Sequence, residues 1–296
     1  MKRSIVASFC CLLTSIVLSK GVGAAPELPV LVQESDAICI GTVKDVTTHG
    51  FISTKIGYQN GQPIFARSES EIATIAVEYS LKGTEHPLTT KVSFSKNAYT
   101  SFNRTRFTQL VINERAIFFL TESPDKLSYS LTEPASDGYS KILIGNAKLT
   151  DLSSRSTPFR STLVAVKQGL SDSSKTIRLN CLGRIASVGI LLNIKAEKDK
   201  DRYGARYRKA LEEPLSDNAS DPSSLEQFVK TEVLPSVVVL TKDLDTDISN
   251  QAFITAGYLQ DVEVIPELVK IADRNSDAAF AIDNYRIKDA VRLWQD

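Results

Sequence analysis

Apolar and polar residues alternate with a period of two through the front half of the chain. The clearest run places Ile75, Val77, Tyr79 and Leu81 between more polar neighbours. Similar short runs recur at 37–43, 91–95, 116–120, 126–131 and 141–144. Turn residues separate the runs, and this alternation is typical of half-buried strands. Several short strands with no long helix between them predict a β domain over residues 25–150, an antiparallel, OB-like barrel or sandwich.

The apolar spacing changes after residue 176. Residues 151–176 begin with a polar stretch containing proline, and we predict a linker and a short helix there. From residue 177 the spacing is helical, because Cys181, Ile185, Val188 and Leu192 form one stripe. The sequence therefore predicts an α+β chain with an α-helical domain over residues 177–296.

Two segments near the end of the chain resemble each other. The segment LPSVVVL at 234–240 is echoed by IPELVKI at 265–271, and AGYLQD at 256–261 is echoed by AVRLWQD at 290–296. This pattern resembles HEAT-like repeats, which implies stacked helix pairs with an extended contact surface. The alternative is a chance likeness between amphipathic helices.

The β half resembles a family of secreted domains. The segment ESDAICIGTV at 34–43, a strand running into Leu81-Lys82-Gly83, and NERAIFFL at 113–120 are similar to netrin-like domains of the metalloprotease-inhibitor type. The resemblance implies a five-stranded barrel. Those inhibitors bind the zinc of the protease through an N-terminal cysteine, whereas the nearest cysteine here, Cys39, lies within a predicted strand. We therefore do not expect that mechanism in this chain.

The N-terminus has the order of a secretory signal. A basic start is followed by an apolar run over residues 4–19 and then by small residues. This order predicts a signal peptide over residues 1–24, cleaved before Ala25, and hence a secreted or periplasmic protein. The alternative is an uncleaved anchor, although the run is shorter than a usual membrane span. We expect no membrane span in the mature chain.

Removal of the signal changes the charge and the cysteine content. The full chain has 35 basic and 35 acidic residues, and loss of Lys2, Arg3 and Lys20 leaves a net charge of −3. We therefore expect no nucleic acid as a partner. Two cysteines remain, Cys39 and Cys181, which can form a disulfide in an oxidising compartment. The alternative is a pair of buried thiols that pack as small apolar side chains.

Candidate chemistry is sparse. Acidic residues alternate at 243, 245 and 247, but a calcium loop would need glycine where Ile248 stands and glutamate where Ile254 stands. We interpret this stretch as a solvated loop before a helix capped by Asp247 or Ser249. His49 and His86 are the only histidines and have no partners at zinc-ligand spacing. We expect no metal site, no cofactor and no enzymatic activity.

One stretch between predicted strands has the composition of a binding loop. Aromatic residues alternate with arginines at Tyr99, Phe102, Arg104, Arg106 and Phe107. Tyrosine and arginine are enriched at binding hot spots, so these residues are our candidate binding site. The alternative places Phe102 and Phe107 in the core and the arginines in solvent.

These observations favour a non-catalytic binding or scaffold protein. It would contact an unidentified protein partner through its helical-repeat surface and the loops of its β domain. One alternative is an inhibitor or regulator of an extracellular protease that acts through the β domain. A second alternative is an enzyme of unrecognised type.

Overall fold

A computed structural model describes residues 28–59, 62–83, 89–99, 104–106, 109–123, 128–132, 140–150, 152, 157–196, 225–259, 261–272, 275 and 278. The front half contains helix α1 (Leu28–Glu34) and strands β1 (Ala37–Gln59), β2 (Gln62–Lys82), β3 (Thr89–Tyr99), β4 (Arg104–Arg106), β5 (Arg115–Glu122), β6 (Tyr129–Leu131) and β7 (Lys141–Leu143). The second half contains helices α2 (Pro158–Gly169), α3 (Lys175–Ala196), α4 (Leu225–Phe228), α5 (Leu234–Leu240), α6 (Thr246–Tyr258) and α7 (Ile265–Ala272).

Five of the strands form a closed barrel. They follow the order β1-β2-β3-β6-β5, and β5 pairs back with β1 to close the sheet. The β3–β6 pair is parallel, whereas the other pairs around the barrel are antiparallel. Strand β4 extends the sheet beside β3, and β7 pairs with β5. We predicted an α+β chain with an N-terminal antiparallel barrel or sandwich; the α+β class is confirmed, and of the two alternatives the structure has the barrel. The parallel pair is the departure from a purely antiparallel sheet.

The barrel interior is filled by alternate residues of its strands, as the period of two requires. Cys39 on β1 lies opposite Phe118 on β5, and both side chains are fully buried. We call this group the interior cluster. Its buried members are Ala37, Cys39, Val43, Ala73, Ile75, Val92, Phe94, Leu110, Ala116, Phe118, Leu120 and Leu131.

The other faces of β1 and β5 are also buried. Ile38 and Ile40 on β1, with Ile117 and Phe119 on β5, have no solvent exposure and belong to a second cluster with the helices. We call it the helix-facing cluster. Because these two strands are covered on both sides, their sequences are nearly continuous apolar runs. The barrel and the helices therefore share one core.

Helix α2 lies inside the segment for which we predicted a linker and a short helix. Thr157 caps its first turn by accepting a hydrogen bond from the Arg160 backbone N–H, and Pro158 follows the cap. Nine of the twelve residues of α2 are buried, and Phe159 and Leu163 belong to the helix-facing cluster. The short helix is therefore part of the shared core.

Helix α3 carries the predicted apolar stripe. Cys181, Ile185 and Val188 are buried in the helix-facing cluster. The first described helix, α1, packs against α3 as well, because the Leu28 backbone N–H donates a hydrogen bond to Ser187 Oγ at 3.3 Å. The sequence pattern gave no indication of α1.

Two of the helices after α3, α5 and α7, contain the proline segments on which the predicted repeat was based. Helix α7 opens at Ile265 and Pro266, as predicted. Pro235 instead follows a π-helical turn, Val229–Val233, that connects α4 to α5, and Leu234 N–H donates to Val229 O. Proline lacks an N–H and its ring clashes with the preceding helical turn, and a π turn accommodates both effects. The second copy of the echo at 290–296 lies outside the described residues, so the HEAT-like repeat stays a prediction.

Within the described ranges, no helix is both long enough and apolar enough to cross a membrane.

Candidate functional site

Strands β1 and β2 continue well beyond the closed barrel. The pairing of β1 with β5 ends at Thr42, whereas its pairing with β2 continues to Gln59. At about 3.4 Å per residue, the stretch from Gly50 to Gln59 spans about 30 Å. Between residues 47 and 70, none of the side chains that the structure describes is buried. We call residues 50–59 and 62–70, together with 95–99 and 104–106, the arm.

The backbone register of the arm brings distant residues onto one face. In an antiparallel pair, residues directly opposite each other lie on the same face, and the face alternates along each strand. Arg67 on β2 lies opposite Ser53 on β1 and opposite Tyr99 on β3, and Tyr99 lies opposite Arg104 on β4. Four strands therefore contribute to one transverse row.

Two further rows of the same face flank this one. Phe51 lies opposite Glu69 on one side, and Lys55 lies opposite Phe65 on the other. We call this surface the arm face. Its members by register are Phe51, Ser53, Lys55, Tyr58, Pro63, Phe65, Arg67, Glu69, Asn97, Tyr99, Arg104 and Arg106.

The two faces of the arm differ in how many ionisable positions the backbone register assigns to them. The arm face holds four basic positions and one acidic one. The opposite face has no ionisable residue at the paired positions between 50 and 70; it carries Gly50, Ile52, Thr54, Gly57, Ile64, Ala66, Ser68 and Ser70. By backbone register, the ionisable positions between residues 50 and 70 therefore all fall on the face that also carries Phe51 and Phe65.

Both phenylalanines of the arm face are exposed. Phe51 retains 57% of its accessible surface and Phe65 retains 54%. Each is adjacent along the face to the row that contains Arg67 and Tyr99. Two large aromatic side chains exposed on one face, with arginine positions between them, form the composition that is enriched in protein interfaces.

Three of the five predicted binding residues lie on this face. Tyr99, Arg104 and Arg106 belong to the β3–β4 hairpin, in which Asn97 pairs with Arg106. They are thus part of paired strands, where we had predicted a loop between strands. Phe102 and Phe107 lie outside the described residues.

Sequence reasoning missed the β1–β2 part of the arm. Phe51, Phe65 and Arg67 fall outside the strand runs singled out by apolar alternation. A signal was available, because Asn60-Gly61 between β-rich segments is a strong indication of a tight hairpin. The register of four strands places Phe51 and Arg104 on one face, and a local turn signal cannot predict such a long-range arrangement.

The acidic stretch at 243–247 has basic partners. Asp243 forms an ion pair with Arg178 at 2.5 Å, and Lys175 contacts Asp245 at 3.0 Å and Asp247 at 2.5 Å. Asp245 caps α6, since its Oδ1 accepts from the backbone N–H groups of Asp247 and Ile248. The predicted cap at Asp247 or Ser249 was therefore placed too late. In the described part of the chain, no group of three His, Cys, Asp or Glu residues could hold a metal ion.

The two cysteines of the predicted disulfide are free thiols in the structure. Cys39 lies in the interior cluster of the barrel, whereas Cys181 lies in the helix-facing cluster on the other side of the sheet. Burial raises the pKa of each thiol to about 12. The structure therefore lacks the predicted bond and has the alternative arrangement, in which both pack as small apolar side chains. A buried Cys39 is also unavailable to the zinc of a protease.

Comparison with protein-family models, with curated proteins and with solved structures finds no match to this chain.

Proposed function

We propose that this chain is an exported, non-catalytic binding protein, and that the arm face is where it contacts a protein partner. The observation that carries the proposal is the exposure of Phe51 and Phe65 on one face of a hairpin that extends beyond the barrel. An exposed aromatic pair costs free energy in water, and burial against a partner would recover about 25 cal/mol for each Å² of apolar area.

The barrel topology supports this assignment. The five barrel strands, numbered along the chain, follow the order 1-2-3-5-4 with a parallel 3–5 pair, which favours the OB-like interpretation. In OB-like barrels the connection between the first two strands is one of the binding elements. Here that connection is the arm itself, so the arm is a lengthened form of an element that such barrels use for binding.

Export remains part of the proposal and has its own test. The basic and apolar order of residues 1–24 supports a cleaved signal. N-terminal sequencing of the protein from its host should begin at Ala25. Recovery of the chain with residues 1–24 still attached would contradict export by a cleaved signal.

The binding proposal is tested by removing the aromatic contacts without changing the core. The full-length chain carrying Phe51→Ser and Phe65→Ser is compared with the wild type in a cross-linking capture from the native compartment. The matched control carries Val239→Ser and Leu244→Ser, because these side chains are also strongly exposed but lie on the helical half. We expect unchanged melting temperatures in all three proteins.

Loss of one near-stoichiometric partner in the arm variant alone supports the proposal. Equal capture by the arm variant and the wild type overturns it. If the arm-dependent partner is a protease that the wild type inhibits, the inhibitor alternative replaces the scaffold interpretation. The full chain is required throughout, because the barrel and the helices share one core.

A further inference from the structure

Strand β1 has a long edge on the side that faces away from β2. In the barrel this side pairs with β5 as far as Thr42, and Val43 then exchanges two backbone hydrogen bonds with residues 113 and 114, at 2.8 and 2.9 Å. Over residues 45–59, none of the strands that the structure describes pairs with this side of β1. We call it the outer edge. An edge of this length is a template for the backbone of another strand.

The base of the outer edge is a tight turn, residues 111–114. The backbone N–H of its last residue donates to the carbonyl of its first at 3.0 Å, and Asn113 takes a φ of 68°. The turn carries two exposed apolar side chains, because Val111 retains 58% of its accessible surface and Ile112 retains 49%. The turn therefore ends the outer edge at the barrel and adds apolar surface beside it.

We infer that the outer edge pairs with the outer edge of a second copy of this chain, antiparallel and about a two-fold axis at Ile52. Ile52 is the midpoint of residues 45–59, so this register covers the whole outer edge of both chains. Asp45 of one chain would lie opposite Gln59 of the other. The inference goes beyond the proposed function and does not depend on it, since it concerns the edge of β1 and not the arm face.

The irregularities of β1 fit this register. The pairing with β2 has one extra β1 residue at His49 and another at Ile56. These bulges lie on opposite sides of Ile52, and the stretch 50–54 between them is regular. A two-fold axis at Ile52 pairs this regular stretch with itself, whereas a shifted register would set it against a bulge, where ladder hydrogen bonds are disrupted.

Length and closure select a second copy over an unrelated strand. In the two-fold register the end of each hairpin, at Gln59 and Gln62, reaches the base of the other outer edge, where Val111 and Ile112 are exposed. An unrelated strand would form the same backbone hydrogen bonds without this match of lengths. Because both outer edges are used in the pair, association of this kind stops at a closed dimer.

The test measures the mass of the protein in solution over a concentration series. Sedimentation equilibrium of the protein purified from its host gives this mass and the Kd of self-association. We expect the mass to rise from that of one chain to that of two chains with increasing concentration, and to stop there.

Charge variants test the register at its centre. In the two-fold pair Phe51 of one chain lies opposite Ser53 of the other, and both side chains are exposed in the single chain. Phe51→Lys with Ser53→Lys sets like charges opposite each other and should raise the Kd at least about tenfold, as should Phe51→Glu with Ser53→Glu. An equal mixture of the two variants sets opposite charges against each other and should return the Kd to within about threefold of the wild type.

A matched control separates the outer edge from general surface charge. Val239→Lys with Leu244→Lys also replaces two exposed side chains by lysine, but on the helical half, and should leave the Kd of self-association unchanged. Thermal melting confirms that each variant is folded.

Several results overturn the inference. These are the mass of a single chain at every concentration, open-ended growth beyond two chains, or an equal loss of association in the edge and control variants. Failure of the mixture to restore the dimer would contradict the two-fold register. If the chain stays single while the Phe51→Ser and Phe65→Ser variant still loses its captured partner, the inference fails and the proposed function stands. A dimer with capture unaffected by that variant gives the reverse outcome.

Discussion

Gly189 on α3 packs directly against the backbone carbonyl of Tyr258 at the end of α6: a Cβ placed on Gly189 would lie 2.4 Å from that oxygen. A backbone carbonyl cannot rotate away as a flexible side chain can, so an added methyl group must separate the two helices. We expect Gly189→Ala to lower the free energy of unfolding by about 1–3 kcal/mol. Urea denaturation measures the change.

The same helix provides the control for this prediction. A Cβ on Gly183 would meet nothing within 4 Å. Because alanine loses less backbone entropy than glycine in a helix, Gly183→Ala should raise the free energy of unfolding by about 0.5–1 kcal/mol. Shifts of the same sign in both variants would show that close helix approach is not the role of Gly189.

The two buried thiols should be unreactive in the folded protein. The thiolate is the nucleophilic form, and burial raises the pKa of Cys39 and of Cys181 to about 12. We expect no alkylation of either residue at mildly alkaline pH, and full alkylation after denaturation without a reductant. Peptide mapping by mass spectrometry reads out both states. If Cys39 and Cys181 can be alkylated in the denatured chain only after reduction, they form the disulfide that the structure lacks.

Glu78 should stabilise the fold at neutral pH, and this stabilisation should be lost in acid. Arg115 Nε donates to both carboxylate oxygens of Glu78, at 3.0 and 2.9 Å, and Thr42 Oγ1 donates to Oε1 at 3.0 Å. Although burial raises the pKa of Glu78, these hydrogen bonds and the charge of Arg115 lower it below 4.5 overall. A depressed pKa means that the stabilisation is present above pH 4.5 and is lost as the pH falls through the folded-state pKa.

The measurement compares Glu78→Gln with the wild type across this range. Since the pair is partly exposed, the variant should lose about 1 kcal/mol or less at neutral pH. The difference between the two unfolding free energies should shrink as the solution is acidified below pH 4.5. A difference that stays constant down to the acid limit would contradict the role of the ionised carboxylate.

Replacing one member of the Lys141–Glu114 pair should lower the free energy of unfolding more than replacing both. Both side chains keep about 12% of their surface, and Lys141 Nζ also donates to the carbonyl of Gln109. Burial lowers the pKa of Lys141, while Glu114 partly opposes that effect. Glu114→Gln would leave the half-buried ammonium of Lys141 without this carboxylate, and we expect it to cost about 1–3 kcal/mol.

The double variant Lys141→Met with Glu114→Gln is the comparison. Replacing both charges removes the desolvation penalty as well as the attraction, so the double change should cost less than Glu114→Gln alone. Chemical denaturation of the wild type, the two single variants and the double variant completes a thermodynamic cycle. Additive losses would mean that the two residues do not stabilise each other.

Local patterns predicted the strands and the main helix, because alternation and helical spacing can be recognised within a short stretch of sequence. The strand runs predicted a barrel or a sandwich without deciding between them, and the stripe through Cys181 and Ile185 predicted α3. The cap at Asp245 was missed by two residues, since any of several acidic or hydroxyl residues there can cap a helix.

The long-range arrangement of strands and helices was harder to predict from the sequence. The hydrogen-bond register that places Phe51 and Arg104 on one face depends on three strand pairings and on bulges, including the one between Ser68 and Ser70. A one-residue slip in any pairing would move a residue to the opposite face. The packing of helices on β1 could not be predicted either. A buried apolar run has the same sequence pattern whether a sheet or a helix covers it.

The shared core also determines when the fold can be completed. Ile38 on β1 and Leu268 on α7 belong to one cluster, although most of the chain separates them. A newly synthesised barrel could form its interior early, yet the helix-facing cluster would stay incomplete until the last helices had been made. A cluster whose members are so far apart in sequence assembles slowly, which prolongs the lifetime of an intermediate with exposed apolar surface. For this chain, we expect aggregation, or help from a chaperone, to be decided between the synthesis of the barrel and that of α7.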